Sequence, residues 1–309
     1  MFNELLIEKW RPSKLNDLVL SKKNRDYFEM VRIKRDIPHI LFASAPGCGK
    51  SSLAKIIVDE LLDCQYLYIN ASNENGVDTI RSKITNFAQT LSLDGKLKVI
   101  ILDECDFLTE NAQGALRHVI EKYAESTRFI ATCNFKSKLI DAISSRFIHF
   151  DLTPPHDMLA ARVIHIIKEE QIKVSEQQKP ILENLIKANY PDMRAIIGEV
   201  QKNSLKGVLD LEENQDNTKF ASRLFKKIQD KTDVVKIREY IISNEIEFEC
   251  DYHRLLRNMF EVIYRSDVNG DKKAPLMLIV SNKMLEHQTV MDKEINFFAC
   301  VLELMDVMK

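Results

Sequence analysis

Residues 39–62 read HILFASAPGCGKSSLAKIIVDELL, and their order decides the fold. Ile40 to Ala43 form an apolar run of the length of a buried strand. A loop follows, made of Ser44, Ala45, Pro46, Gly47, Cys48 and Gly49. Lys50, Ser51 and Ser52 then open a segment with apolar residues at Leu53, Ile56, Ile57, Val58, Leu61 and Leu62. That spacing suits a helix packed on a sheet. Strand, glycine-bearing loop, Lys-Ser and helix in this order make a phosphate-binding loop. Its backbone N–H groups would wrap phosphates, and Lys50 would reach the β- and γ-phosphate oxygens of a nucleoside triphosphate. The Ser51 hydroxyl would hold Mg²⁺. Ser44 stands at the usual place of the first glycine, while Gly47 and Gly49 remain where backbone must approach phosphate.

Downstream, KVIIL at 98–102 reads as a buried strand that ends on Asp103, Glu104, Cys105 and Asp106. A carboxylate at the C-terminal end of an apolar strand sits where α/β sheets bind ligands. Asp103 would hold Mg²⁺ through a water, and Glu104 would orient and polarise an attacking water. The alternative is a pair of acidic residues capping the next helix. The pair argues against small-molecule kinases, which must exclude a hydrolytic water. Thr109 is a candidate N-cap for a helix to Tyr123, with Gln113 and Arg117 as i, i+4 neighbours off its buried stripe. Residues 128–131 form a further strand, followed by Asn134, which either positions the nucleophilic water or ends a turn. A short helix at 139–145 precedes Arg146 and a last strand at 147–152. Arg146 is either a surface arginine or one presented to a neighbouring subunit.

Upstream, Trp10, Arg11 and Pro12 form a fixed turn, because the proline restricts the residue before it. Trp10 could line an adenine pocket or simply anchor the N-terminal segment. Residues 66–70 (YLYIN) form a short strand. A helix over 77–91 carries Ile80, Ile84, Phe87 and Leu91 on one face, with Arg81 and Lys83 off it. Thr153-Pro154-Pro155 ends the sheet. Beyond it the pattern is helical, at 157–167, 175–188 and 192–202. Arg194 falls in the first turn of the third of these helices, after an Asp192 N-cap. An arginine is unfavourable at that end of the dipole unless something such as a phosphate holds it. Residues 207–218 are polar and acidic. Further helices follow near 221–229, 233–243, 250–264, 274–285 and 293–308. The loop at 266–273 lacks the spacing of a calcium site.

Composition narrows the class. The chain has 309 residues, more than one ordinary core, and a net charge of −2. Any nucleic-acid contact must therefore use a local basic patch. No 18-residue apolar run and no signal-peptide pattern are found, so a cytoplasmic protein without a membrane is expected. The six cysteines have no C-x-x-C spacing and read as free thiols, not zinc ligands.

Together these motifs resemble the AAA+ ATPases of sliding-clamp loaders. Glu8-Lys9-Trp10-Arg11-Pro12 is similar to that family's E-K-Y-R-P signature, and Asp103-Glu104-Cys105-Asp106 to its D-E-x-D box. Asn134 matches sensor 1, Ser145-Arg146 the first two residues of S-R-C, with Phe147 for the cysteine, and Arg194 sensor 2. The nearest resemblance is to the large (ATPase) subunits of T-even-type bacteriophage clamp loaders, then to replication factor C small subunits. It implies an α/β AAA+ P-loop domain with a parallel sheet at 1–152, a small helical lid at 153–207, a linker at 208–219 and an all-helical collar at 220–309. It also implies ATP and Mg²⁺, held by Trp10, Arg11, Pro12, the loop from Ala45 to Ser52, Asp103, Glu104, Asn134 and Arg194. Lys50, Glu104, Asn134 and Arg194 would act in cis and Arg146 on the next subunit's ATP. The implied partners are a sliding clamp, primer–template DNA, copies of the chain and a non-identical clamp-loader subunit. Arg81, Lys83 and Arg117 are candidate DNA phosphate contacts or a solvated helix face, and Gln113 a candidate relay from DNA to Glu104. A non-hydrolysing scaffold subunit, or another AAA+ motor such as a helicase or protein remodeller, is the alternative.

Overall fold

The apolar runs become five parallel strands. These are β1 (Ile40–Ala43), β2 (Tyr66–Asn70), β3 (Lys98–Asp103), β4 (Thr127–Cys133) and β5 (Ile148–Phe150). Their order in the sheet is β2-β3-β4-β1-β5, so β1, which feeds the phosphate loop, lies between β4 and β5. The register pairs Asn70 with Asp103, Ile101 with Ile130 and Ala43 with Cys133. The strands that end in candidate site residues therefore finish at one edge. The computed structural model describes residues 4–90, 95–204, 206–211, 217–248, 250–287 and 290–308 and, of residues 79–81, 217 and 218, the backbone only.

β1 and β3 are buried on both faces, as a parallel sheet between helical layers requires. Helices α1 (Leu6–Lys9), α2 (Lys22–Lys34) and α3 (Lys50–Ile56) precede or follow β1. Phe28 and Val31 of α2, and Leu53 of α3, pack with Ile40, Val99 and Ile101 on one face. On the other, α4 (Val77–Gln89) and α5 (Glu110–Lys122) bring Ile84, Leu116 and Ile120 against Leu41, Ile100 and Phe129. Each such side chain contributes ~1.5–3 kcal/mol on burial. The helix expected over 77–91 ends at Gln89, and Leu91 and Asp94 lie outside the described residues. α6 (Asp141–Ser144) leads to Arg146.

Past Pro155 come α7 (His156–Glu169), α8 (Gln178–Asn189) and α9 (Met193–Lys202). Their core is Leu159, Val163, Leu182, Ile186 and Ile196. Leu209 and Leu211 are buried in the same core, and Val208 bridges to Lys173. The first compact unit accordingly runs from Met1 to Leu211.

The second unit, Glu212–Lys309, is helical among its described residues. It holds α10 (Asn217–Gln229), α11 (Val234–Ser243), α12 (Tyr252–Arg265), α13 (Gly270–Glu286) and α14 (Lys293–Val307). Leu255, Leu256, Met259 and Ile263 of α12 form the middle of its core, with Leu224, Leu276 and Phe297 around them. The pattern places the start of α13 at Ala274, but the helix begins at Gly270, and Pro275 lies in its second turn.

Candidate nucleotide site at the sheet edge

The loop after β1 turns through two left-handed glycines, Gly47 at φ 71° and Gly49 at φ 85°. Both are also closely approached. A Cβ on Gly47 would lie 1.8 Å from Asp192 Oδ1, and one on Gly49 would lie 2.8 Å from Leu18 Cδ2. Only glycine meets both demands. Asp192 is the N-cap of α9, accepting from Ala195 N at 3.0 Å, so the lid rests on the loop at this point.

Lys50 is buried, and its ammonium donates to Ser44 O at 2.7 Å, Ala45 O at 2.8 Å and Asn134 Oδ1 at 2.8 Å. Burial lowers its pKa from the ordinary lysine value. Ser51 Oγ donates to Asp103 Oδ1 at 2.8 Å. Thr132 Oγ1 donates to the same oxygen at 2.5 Å, and Tyr68 OH donates to Asp103 Oδ2 at 2.6 Å. Glu104 takes a left-handed conformation, φ 57°, and its N–H donates to Thr132 Oγ1 at 2.9 Å. A non-glycine residue there costs ~1–2 kcal/mol. Asp106 Oδ2 accepts from Asn134 N at 3.3 Å and Phe135 N at 3.2 Å, tying the end of β3 to the end of β4. Cys105 and Cys133 share a hydrogen bond in which Cys105 is held as the thiol. Burial raises the Cys48 pKa, so that thiol is also protonated.

Lys50, Ser51, Glu104, Thr132, Cys133 and Asn134 line a cleft of about 500 Å³ between the sheet edge, the N-terminal segment and the lid, and Asp103 is joined to it through Ser51. Trp10, Arg11 and Pro12 form one wall, Arg194 and Arg162 another. Trp10 Nε1 donates to Glu170 Oε1 at 2.7 Å, its ring meets His165 edge-on, and the Arg162 guanidinium sits 5.4 Å from the ring centroid. Trp10 thus anchors the N-terminal segment to α7 and still faces the cleft. Arg162 was not read from the sequence, because an arginine on an amphipathic helix carries no motif.

The other candidates lie away from the cleft. Arg146 pairs with Glu121 of α5 and donates to Ala142 O. Arg117 reaches the same carboxylate at 3.8 Å. Lys83 pairs with Glu74 at 2.6 Å, and the side chain of Arg81 lies outside the described residues. Gln113, expected on a face away from the buried stripe, is 1% exposed. Its amide donates to Leu108 O and Lys138 O and accepts from Ile140 N at 2.8 Å, which staples α5 to the segment after β4.

The Ser51 hydroxyl and Asp103 carboxylate are hard oxygen donors 2.8 Å apart, which suits Mg²⁺. Loop, sheet order and helical lid define an AAA+ P-loop protein. Residues 40–153 match the ATPase family associated with various cellular activities (AAA), and residues 156–212 match the sliding-clamp-loader large subunit, AAA+ ATPase lid domain. The chain is 38% identical over 214 residues to the replication factor C small subunit of Saccharolobus solfataricus, covering 67% of this chain and 64% of that protein. It is 36% identical over 211 residues to human replication factor C subunit 5, covering 64% and 60%. The match thus spans less than two thirds of the length of either relative. Among solved structures, the Thermotoga maritima RuvB Holliday junction branch migration motor has a TM-score of 0.52 at 15% identity, covering 75% of this chain and 85% of that one. At that identity the likeness is one of fold.

Proposed function

We propose that the chain is the ATP-hydrolysing subunit of a DNA-polymerase sliding-clamp loader. The observation that carries this is the conjunction, in one cleft, of Lys50, Ser51, Glu104 and Asn134, with Asp103 bonded to Ser51 behind them, and Arg194 from residues that match a clamp-loader lid. A scaffold subunit has no need of the full hydrolytic set, so hydrolysis is the reading favoured.

In this reading ATP binds with its phosphates on the N–H groups of the Gly47–Ser51 turn. Lys50 exchanges an amide and carbonyl partners for β- and γ-phosphate oxygens. Ser51 and Asp103 would hold Mg²⁺, which would supply charge neutralisation on the phosphates. Glu104 takes the proton of the attacking water, and Asn134 fixes that water's position. Arg194 brings the lid onto the γ-phosphate. Arg146 serves the ATP of the next subunit, a contribution of ~10³–10⁵ in rate for such fingers.

ATP binding would then assemble copies of this chain with a non-identical subunit into a spiral that opens a ring clamp. Primer–template DNA would enter it through Arg81, Lys83 and Arg117, with Gln113 relaying occupancy to the site. Hydrolysis would release the closed clamp on DNA during replication in the cytoplasm. The runs at Thr85–Ala88 and Lys206–Asp210 resemble those of the T-even-type bacteriophage branch, which is the branch proposed within this class. The test is transfer of a labelled clamp to primed circular DNA, resolved by size exclusion. Wild type leaves a clamp on the circle, while Glu104→Gln holds clamp and DNA together without release. Transfer by Glu104→Gln at the wild-type rate would remove the assignment.

A further inference from the structure

We propose that Tyr68 is a positioning residue for the metal carboxylate, its hydroxyl fixing Asp103 in the orientation that Ser51 and Mg²⁺ require. This rests on the reading of the cleft as a Mg²⁺·ATP site.

β2 is the edge strand, and its register sets Tyr68 opposite Ile101 and Asn70 opposite Asp103. Side chains alternate along a strand, so Tyr68 and Asp103 are diagonal neighbours on one face. A tyrosine spans that diagonal, and its hydroxyl reaches Asp103 Oδ2 at 2.6 Å. The other oxygen, Oδ1, accepts from Ser51 and Thr132 at 2.8 and 2.5 Å. Three hydroxyls from β2, α3 and β4 therefore hold one carboxylate.

The terminal torsion of an aspartate is broad and two-fold, so donors on one oxygen alone leave the plane free to turn. Tyr68 supplies the donor on the second oxygen. The ring is itself held from α3, where Lys55 Nζ sits 5.0 Å from its centroid, one turn after Ser51. Fixing Asp103 also steadies Thr132, whose Oγ1 accepts the Glu104 N–H at 2.9 Å. No motif in the strand YLYIN marks this tyrosine.

Tyr68→Phe keeps the ring and removes only the hydroxyl. The readout is binding of a fluorescent ATP analogue by the full chain, titrated with Mg²⁺, beside the affinity for the same analogue in EDTA. Partners of metal ligands typically cost ~10–100-fold in metal affinity when lost. The Mg²⁺ midpoint of Tyr68→Phe is expected to rise about ten-fold, with the EDTA affinity unchanged. An unchanged midpoint would overturn the proposal. So would an equal loss in EDTA and in Mg²⁺, because it would make Tyr68 a general support of the cleft. A wild-type chain whose affinity ignores Mg²⁺ would instead overturn the reading of the cleft, and the proposal with it.

Discussion

Lys50 Nζ donates to Asn134 Oδ1 at 2.8 Å, so one buried ammonium joins the phosphate loop to the end of β4. The same nitrogen holds two carbonyls of its own loop, which satisfies all three of its donors. In the proposed reading a γ-phosphate would compete with Asn134 for the ammonium and leave the amide to a water. Asn134→Ala should therefore keep ATP affinity within about three-fold and lower single-turnover hydrolysis by roughly 10²-fold, the usual cost of one lost positioned donor. An affinity loss as large as the rate loss would make Asn134 a binding group only.

Gly47 is one point where the lid touches the loop, beside the Cys48 thiol that faces Pro191 O. Gly47→Ala would set a Cβ 1.8 Å from Asp192 Oδ1 and hold a side chain at φ 71°. The expected cost exceeds about 1 kcal/mol. For a unit of this size that lowers the thermal midpoint by roughly 2–4 °C. Nucleotide affinity should fall as well. Calorimetry and an equilibrium titration check both, and a variant with wild-type midpoint and affinity would mean that the lid does not dock on this glycine.

Arg146 is held by Glu121, and the guanidinium lowers the pKa of that carboxyl. Arg146→Ala should leave ATP binding by the isolated subunit unchanged and remove most hydrolysis by the assembly, by ~10³-fold or more. Mixing Arg146→Ala with Glu104→Gln subunits should restore part of the rate, since each supplies what the other lacks. Equal loss in the isolated subunit would place Arg146 in cis.

His39 accepts from Phe129 N at 3.1 Å through Nδ1, which requires the neutral ring. Burial, and then the charge of Arg128, lower its pKa from the ordinary 6.5. The unfolded chain thus binds a proton more readily than the folded one. The cost is absent above pH 6.5 and grows as pH falls towards the folded value. His39→Asn, which keeps an acceptor near Nδ1, should flatten that acid limb of the unfolding curve. An identical limb in the variant would assign it to other groups.

The strands and the phosphate loop were legible because hydrophobic runs and glycines report backbone geometry directly. Ile40–Ala43 and 99–102 are apolar without a break, and Gly47 and Gly49 sit where φ is positive. Asp103, Glu104 and Asn134 were legible because each stands at a strand end. What escaped was partnership. Lys98 opens a run that reads as a buried strand, and it is 2% exposed, but no pattern in that run shows that its ammonium caps the end of α4 through Thr90 O at 2.6 Å. Gln113 reads as polar surface, yet its amide joins α5 to Lys138 and Ile140, which only the packed chain brings within reach. Tyr68 and Arg162 escaped for the same reason, since a contact across strands or from the lid leaves no local pattern. The start of α13 was misplaced because Pro275 looks like a first-turn residue, whereas Asn269 caps the helix a turn earlier with its carbonyl.

The central claim is an ATPase that answers to both clamp and DNA. Its most direct test is phosphate release by the chain assembled with its partner subunit, measured alone, with primer–template DNA, with the cognate ring clamp and with both. The account predicts a low basal rate, stimulation by each and the highest rate with both together. A rate indifferent to the clamp, whether or not DNA raises it, would contradict it.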